Sequence, residues 1–407
     1  MTFKSRWPLL ALLGASLLSP AWADNATDSG FEDDEPVSAE ELQLESIPVD
    51  ERIFLERWNA VPFDARYFTY SDEQLKAKWD YLMRGLRIPY PSAAYLKMIH
   101  DRYPFVRESL GDGFDGDFQR LERVSLELWR NFFAGNFQQA RNEGLKHGVV
   151  GLFPALFSQL MYAMYLSERQ SEKYMLLQDV ANRIEPYLDQ IQDSGAEEDQ
   201  EVATFVGAAY LGYAYAIARI AEDSPVAVAV ARRYPGKLKR TADKVIELLP
   251  DHPMALGFRA GLDAGIMRRV GKFTGRLTYG ARTTVVEDGF DRALELEPDI
   301  PITVYEYGNA LIYANRKRDI NEALSLFEQA SRMQPQFSMD ALDTMYAYKR
   351  LQEVRLFALN YRSFREFEKA RRKFIKVTDR NLTNVTAPLL SQEMLENPEA
   401  FRLSPRQ

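Results

Sequence analysis

The side chains best suited to metal binding or to acid–base catalysis near neutral pH are three histidines. They are His100, His147 and His252, which stand far apart and form no HxxxH or HExxH spacing. The absence of cysteine excludes thiolate chemistry and disulfides, and no GxSxG motif marks a serine nucleophile. The 59 acidic residues include no pair that spacing singles out. We therefore predict that the protein is not an enzyme and has no catalytic residue, metal site or cofactor.

Two glycine patterns could serve binding instead of catalysis. Gly257, Gly261 and Gly265 recur every four residues, which places them on one helix face and predicts close contact with another helix of the chain. Residues 271–284, GKFTGRLTYGARTT, are basic and glycine-rich. They do not match GxxxxGK[ST], so they give only weak support to phosphate binding.

Composition indicates a folded, acidic protein. The 407 residues are 46% hydrophobic and 27% charged, with a net charge of -8. This length suits two ordinary domains or one elongated solenoid. The acidic balance gives no sign of a nucleic-acid partner.

The N-terminus predicts export. Lys4 and Arg6 precede an apolar run over residues 7–18 and an Ala-Trp-Ala sequence at 21–23, so we assign residues 1–23 as a signal peptide cleaved at about Ala23. We expect a soluble protein, most consistent with a bacterial periplasm; the alternative is an uncleaved membrane anchor. Residues 24–50 are acidic and aperiodic, and predict a disordered leader.

Residues 51–120 predict an N-terminal helical cap. Ser71 and Gln74 have capping-box spacing, and Leu75, Trp79 and Leu82 follow as an apolar stripe that should face inward. A helical array needs an atypical element over its first apolar face. The alternative is a separate functional domain.

One amphipathic unit occurs twice in residues 286–350. The copies share an aromatic residue, a small residue and a proline at equal spacing: Phe290, Ala293 and Pro298, then Phe327, Ala330 and Pro335. A small residue lets two helices approach closely, the aromatic fills the space beside it, and proline ends the helix.

Between the copies, Val304, Tyr307, Gly308 and Leu311 occupy the slots of a W-x-x-L-G-x-x-Y pattern, and Ala323 with Phe327 fits A-x-x-x-F. The segment resembles a tetratricopeptide repeat, a helix-turn-helix unit of 34 residues. The resemblance implies an all-α fold, a right-handed solenoid of helical hairpins, over residues 121–350 with atypical capping helices at both ends.

The repeat is irregular upstream. Proline-slot positions 152, 186, 250, 298 and 335 are separated by 34, 64, 48 and 37 residues, so most units carry insertions. Ala181 with Pro186 and Val245 with Pro250 keep the interval of the clear pair.

In a tetratricopeptide array, successive first helices line a concave groove that holds a peptide or another ligand. The positions that alternate with the packing slots are the expected partner-binding residues: Phe258, Tyr305, Asn309, Ile312, Leu342, Tyr346 and Lys349. Ordinary packing between helices is the alternative for each.

Residues 351–407 predict a basic helix and an irregular tail. Between residues 349 and 380 there are eleven Lys or Arg against four Asp or Glu, a local charge of +7. Aromatic residues recur at helical spacing among Arg355, Arg362, Arg365 and Arg372. This surface could contact an anionic membrane or an acidic partner, or be only a solvated face of a capping helix.

These features predict a non-enzymatic, exported scaffold or adaptor that binds a protein or peptide partner in an envelope assembly. The alternative is a periplasmic accessory that binds a small organic or lipid ligand. The irregular repeats and small-residue helices are similar in style to the T-components of TRAP-type transport systems, and that resemblance implies an internal apolar passage.

Overall fold

A computed structural model of the protein describes residues 51–314 and 319–404. Over these residues the chain forms α-helices without a β-strand, which confirms the all-α prediction. The expected signal peptide and acidic leader, residues 1–23 and 24–50, lie outside the described residues.

The first part of the described chain folds into seven helices, of which α5 and α7 are the longest. They are α1 (Arg52–Leu55), α2 (Asp72–Leu82), α3 (Ala93–Arg102), α4 (Pro104–Leu110), α5 (Phe118–Ala134), α6 (Phe137–Gly144) and α7 (Gly148–Tyr165). The predicted capping box is present, because the Ser71 hydroxyl accepts the Gln74 N–H and the Gln74 side chain accepts the Ser71 N–H. Leu75 and Trp79 face the core, as expected.

The remaining twelve helices of the described residues follow in chain order. They are α8 (Gln170–Asp193), α9 (Ala203–Asp223), α10 (Val226–Ala231), α11 (Tyr234–Leu248), α12 (Pro253–Val270), α13 (Lys272–Tyr279), α14 (Thr283–Leu296), α15 (Pro301–Tyr313), α16 (Ile320–Ser331), α17 (Ser338–Asn360), α18 (Phe364–Thr378) and α19 (Gln392–Glu396). Short 3₁₀ turns occur at Ala65–Phe68, Ala196–Glu198 and Pro398–Phe401.

Long helices pack against their sequence neighbours from α6 to α17. In addition, α17 returns to contact α5 and α7, so the end of the array meets its beginning. Helix α7 is long and apolar enough to cross a membrane by length and composition alone, yet 94% of that stretch is buried inside the protein. It is therefore accounted for as a core helix.

The clear pair of units packs as the sequence predicts. The Phe290 ring stacks on Tyr307 with centroids 5.0 Å apart. A Cβ on Gly308 would lie 3.0 Å from Phe327, so glycine is what lets this aromatic approach α15. Upstream, the expectation fails at Pro186, which lies inside α8 and does not end it. The helix continues because residues on both sides of the proline, including Ile184 and Ile191, are buried in the core.

The C-terminal segment is built into the fold. The Asn381 side-chain amide donates to the carbonyl oxygens of Ala163, at 3.1 Å, and Ser167, at 3.0 Å, beyond the end of α7. Asn384 donates to Leu166 at 3.1 Å. These amides satisfy carbonyl groups that a helix end leaves without partners. Both asparagines stand in N-x-T sequons, but each is 1% exposed and already used for capping.

His252 is a buried N-cap of α12. Its Nδ1 accepts the Ala255 N–H at 3.3 Å, and its Nε2 lies 3.3 Å from the Leu86 carbonyl oxygen. A carbonyl only accepts, so Nε2 carries the proton and the ring is neutral. Burial lowers the pKa of His252 to about 4.

We predict that His252 lowers the free energy of unfolding as the pH falls from 6.5 towards 4. In this window the unfolded state binds a proton at His252 that the folded state does not, so acidification favours unfolding. The contribution should be on the order of 2–3 kcal/mol. Denaturant titrations across this range measure it as the difference between the wild type and His252→Asn, which should grow as the pH falls. An equally steep dependence in His252→Asn would contradict the assignment.

Candidate functional site

A cavity of about 180 Å³ lies among α9, α10, α11, α12, α14 and α15. Its walls are mostly apolar and include Val226, Leu238, Met254, Phe258 and Ile302. Apolar walls with a few polar groups are typical of sites for small molecules. Of the residues predicted to bind a partner, Phe258 is the one that lines this cavity.

One wall of the cavity is the glycine face of α12. Gly257, Gly261 and Gly265 all line it. A Cβ on Gly257 would have Phe290 and Thr303 side chains as its nearest neighbours, at 3.5 Å and beyond, and on Gly265 it would meet open space within 4 Å. The expected close helix contact is therefore not made at these glycines, which leave room for the cavity.

The close approach in this region occurs elsewhere. Helices α12 and α14 meet at Gly289, where an added Cβ would lie 2.9 Å from the Ala260 Cβ. This contact sets the spacing of the two helices next to the glycine face. Because the glycines of α12 have no side chains, the space beside them remains unfilled.

Polar groups cluster at one end of the cavity. Arg219 donates to Glu222 at 2.9 Å and also pairs with Glu306, and all three residues line the cavity. Arg268 pairs with Glu368 at 2.8 Å, and its guanidinium lies 4.6 Å from the centre of the Tyr313 ring. Although burial acts to lower the pKa of Arg219, Glu222, Tyr215 and Glu306 raise it well above the usual value.

Two buried donors at this end lack an acceptor within the described part of the chain. They are the Tyr215 hydroxyl and the Nε–H of Arg268, both on residues that line the cavity. The guanidinium of Arg219 lies 4.8 Å from the centre of the Tyr215 ring. A guanidinium has no acceptor atom, so it cannot accept a hydrogen bond from the Tyr215 hydroxyl. Burial raises the pKa of Tyr215 to about 12, which keeps this proton in place at neutral pH.

A buried ion network continues behind the polar end. A smaller cavity of about 30 Å³ shares Arg219, Glu222, Arg268 and Tyr313 with the first. Its other charged lining residues are Lys173, Asp223, Arg350 and Arg371. Burial lowers the pKa of Lys173 although Asp223 lies 3.6 Å away.

The structure places most predicted groove residues in the core. Ile312, Leu342, Tyr305 and Tyr346 are buried, and Tyr305 shares a 2.8 Å hydrogen bond with Tyr165. The Tyr165 hydroxyl in turn donates to a buried aspartate on α17. This corrects the expected exposure of these side chains, because contacts between α7, α15 and α17 cover the surface on which a partner would lie.

Two polar members of the predicted groove also act inside the protein. Asn309 donates to Glu306 at 3.1 Å and accepts from Arg350 at 2.7 Å. Lys349 donates to the carbonyl oxygens of Asn384 and Ala387, at 2.7 and 2.8 Å, and not to a partner. Burial lowers the pKa of Lys349 to about 8. Both side chains therefore hold the fold together.

The basic residues near the C-terminus are on the surface. Arg355, Arg362, Arg365 and Arg372 are all exposed, while the aromatic residues between them turn inward. Phe357, for example, packs edge-on against Phe364. The amphipathic character predicted for this segment is therefore used to cover the core.

Within the described ranges, no group of three or more His, Asp or Glu side chains is arranged to hold a metal ion. No family model, curated protein or solved structure matches this chain. No pattern in the sequence pointed to Tyr215, Arg219 or Arg268. The glycine spacing on α12 was the one signal for the cavity, and it predicted contact where the structure has space.

We predict opposite effects of two glycine substitutions on stability. Gly265→Ala adds a methyl group to open space. It should raise the free energy of unfolding by about 0.5–1 kcal/mol, because alanine favours helix over glycine. Gly289→Ala, the matched change at the close contact, should lower it by about 1–3 kcal/mol. Urea unfolding measures both, and equal losses in the two variants would show that the glycine face is packed.

Proposed function

We propose that this protein is a non-enzymatic binding protein for a small, mostly apolar ligand. The observation that carries the proposal is the cavity beside the glycine face of α12, with two buried donors at its polar end. A buried donor without a partner is costly, so it calls for an acceptor that the protein chain itself does not supply.

The cavity volume limits the ligand. At about 180 Å³ it is somewhat larger than an engineered apolar cavity of about 150 Å³ that binds benzene. A single ring or a short alkyl chain therefore fits inside. A longer chain would have to extend through the mouth, where Val230 both lines the cavity and is 43% exposed.

The charges at the polar end favour an uncharged head group. Arg219, Arg268 and Arg269 line the cavity, and three acids balance them: Glu222, Glu306 and Glu368, the partner of Arg268. An anionic ligand would add a charge to a set that is already neutral, which is unfavourable in a buried site. A ketone, ester or amide carbonyl accepts from Tyr215 and Arg268 without that cost.

The proposal extends to architecture and location. We propose an irregular, tetratricopeptide-like array in an exported protein, acting as a ligand-binding accessory of a transport system. The sequential packing of helices and the apolar cavity support it over the adaptor role. The adaptor role loses support because the residues expected to form its groove are buried.

We predict that hexan-2-one binds in the cavity and shifts the methyl resonance of Met254, which lines it. NMR of the protein with carbon-13-labelled methionine methyl groups measures this shift. The Met254→Leu variant, which lacks the resonance, assigns it. Gly265→Leu should fill the cavity and weaken binding by at least about tenfold while the protein stays folded. Ala358→Leu places the same side chain at an exposed helix position and should bind normally. Unchanged binding by Gly265→Leu would place the ligand elsewhere.

We predict that Tyr215→Phe weakens the binding of hexan-2-one by about 2- to 12-fold, the range for one lost hydrogen bond. Binding of hexane should not change, because hexane has no acceptor. Tyr95→Phe removes another buried, unpartnered hydroxyl outside the cavity and serves as the control. Tighter binding of hexanoate than of hexan-2-one would contradict the uncharged head group.

Native mass spectrometry of the purified protein is a separate experiment that identifies the resident ligand.

A further inference from the structure

Helix α13 exposes two large apolar side chains. Phe273 is 75% exposed and Leu277 is 66% exposed. They are four residues apart and so project from the same face of the helix. Exposed side chains of this size and type on one face mark an interaction site more often than a single exposed apolar residue does.

The two side chains lie on a helix that follows and precedes residues of the cavity wall. Val270 and Tyr279, which flank them in sequence, both line the cavity. Val230 on α10 lines the same cavity and is 43% exposed. We call the exposed apolar side chains of Val230, Phe273 and Leu277, which lie on two helices beside the cavity, the mouth patch.

The charged residues of the two segments that carry the mouth patch are all basic. Residues 224–242 contain five Lys or Arg and no acid, and residues 264–286 contain another five and no acid. Arg233, Arg240, Arg276 and Arg282 are exposed. Some of the ten serve the fold, since Lys239 pairs with Asp263 and Arg268 points inward. Lys237 pairs with Glu185, and Arg269 donates to the Ser224 carbonyl oxygen. The exposed basic residues lie on the same segments as the apolar side chains, in a protein whose net charge is -8.

We propose that the mouth patch docks on the surface of an anionic lipid bilayer. Phe273 and Leu277 insert between the head groups, and the surrounding basic side chains contact the lipid phosphates. An apolar helix face bordered by Lys and Arg is the pattern of helices that lie in a membrane interface. In the docked protein the cavity faces the lipid, the phase in which an apolar ligand dissolves. Docking is a separate activity from ligand binding, because a protein with an empty cavity can also dock.

Helix α13 is built as a separate projecting unit. Gly271 precedes it with φ 78° and Gly280 follows it with φ 66°, backbone conformations that favour glycine. The helix packs mainly on α12, and its carboxyl end is fixed by Lys239, which donates to the Tyr279 carbonyl at 2.6 Å. The opposite face, with Phe273 and Leu277, is left free to enter a bilayer.

The test is co-sedimentation of the full chain with phosphatidylcholine vesicles that contain or lack phosphatidylglycerol. Binding should require the anionic lipid and weaken as salt is added. The double variant Phe273→Ser with Leu277→Ser should bind at least about tenfold more weakly. Tyr67→Ser with Leu359→Ser removes two side chains of similar exposure elsewhere and should bind like the wild type. All variants share the same N-terminus, so an uncleaved signal peptide cannot account for the difference.

A second pair of variants tests the charge. Arg276→Glu should weaken vesicle binding, and Arg372→Glu on α18 should not. Insertion has its own readout, because the emission of Phe273→Trp should shift to shorter wavelength on adding anionic vesicles. The native tryptophans of the described chain are buried and should not respond.

Three results would overturn the proposal. One is a larger loss in Arg372→Glu than in Arg276→Glu, which would assign membrane contact to the C-terminal helix. Another is vesicle binding that the double serine variant retains. The third is an absence of vesicle binding together with a change in sedimentation mass in that variant, which would make the patch a protein interface. Gly265→Leu should retain vesicle binding, so failure of the ligand proposal and failure of docking are distinguishable.

Discussion

The buried ion network is the constraint on which the placement of the central helices depends. Five cations and five acids from α8, α9, α12, α15, α17 and α18 meet there: Lys173, Arg219, Arg268, Arg350 and Arg371 with Glu222, Asp223, Glu306, Glu353 and Glu368. Apolar burial is not directional, so it tolerates small rotations of packed helices. A buried charge does not, because losing its partner leaves it uncompensated at a cost of about 3–5 kcal/mol. We infer that the network fixes the rotation of these helices.

The cavity follows from that constraint together with the absence of side chains on one face of α12. Arg268 holds one turn of α12 to the network, and Gly289 sets its distance from α14. With rotation and spacing fixed, the glycines cannot close onto a neighbour. The same arginine thus belongs to the network and to the lining of the cavity, so the network places the polar end of the cavity.

The sequence predicted the parts of this molecule that depend on local or repeated patterns. Helices, the capping box at Ser71 and the packing at Gly308 are of this kind, since periodicity and spacing determine them. It did not predict that Pro186 lies within a helix, or that Tyr305 and Tyr346 are covered. The helix continues through Pro186 because Ile184 and Ile191 are buried on either side of it, and the two tyrosines are covered because α17 returns to α5 and α7. Both outcomes depend on contacts between segments that are distant in sequence. Tyr215 and Arg219 on α9 and Arg268 on α12 also meet through a contact between distant segments, so the sequence could not group them.

Charge distribution gives the proposed docking a direction. The two segments of the mouth carry ten basic residues and no acid, so in a chain of net charge -8 the remainder of the sequence carries -18. An anionic bilayer therefore repels most of the protein and attracts its basic segments, of which the mouth is the one that also exposes Phe273 and Leu277. Such a separation of charge orients a molecule before contact, over distances of roughly a Debye length, about 8 Å at physiological ionic strength. The apolar side chains of α13 then meet the membrane first, and the cavity faces the lipid without any conformational change in the array.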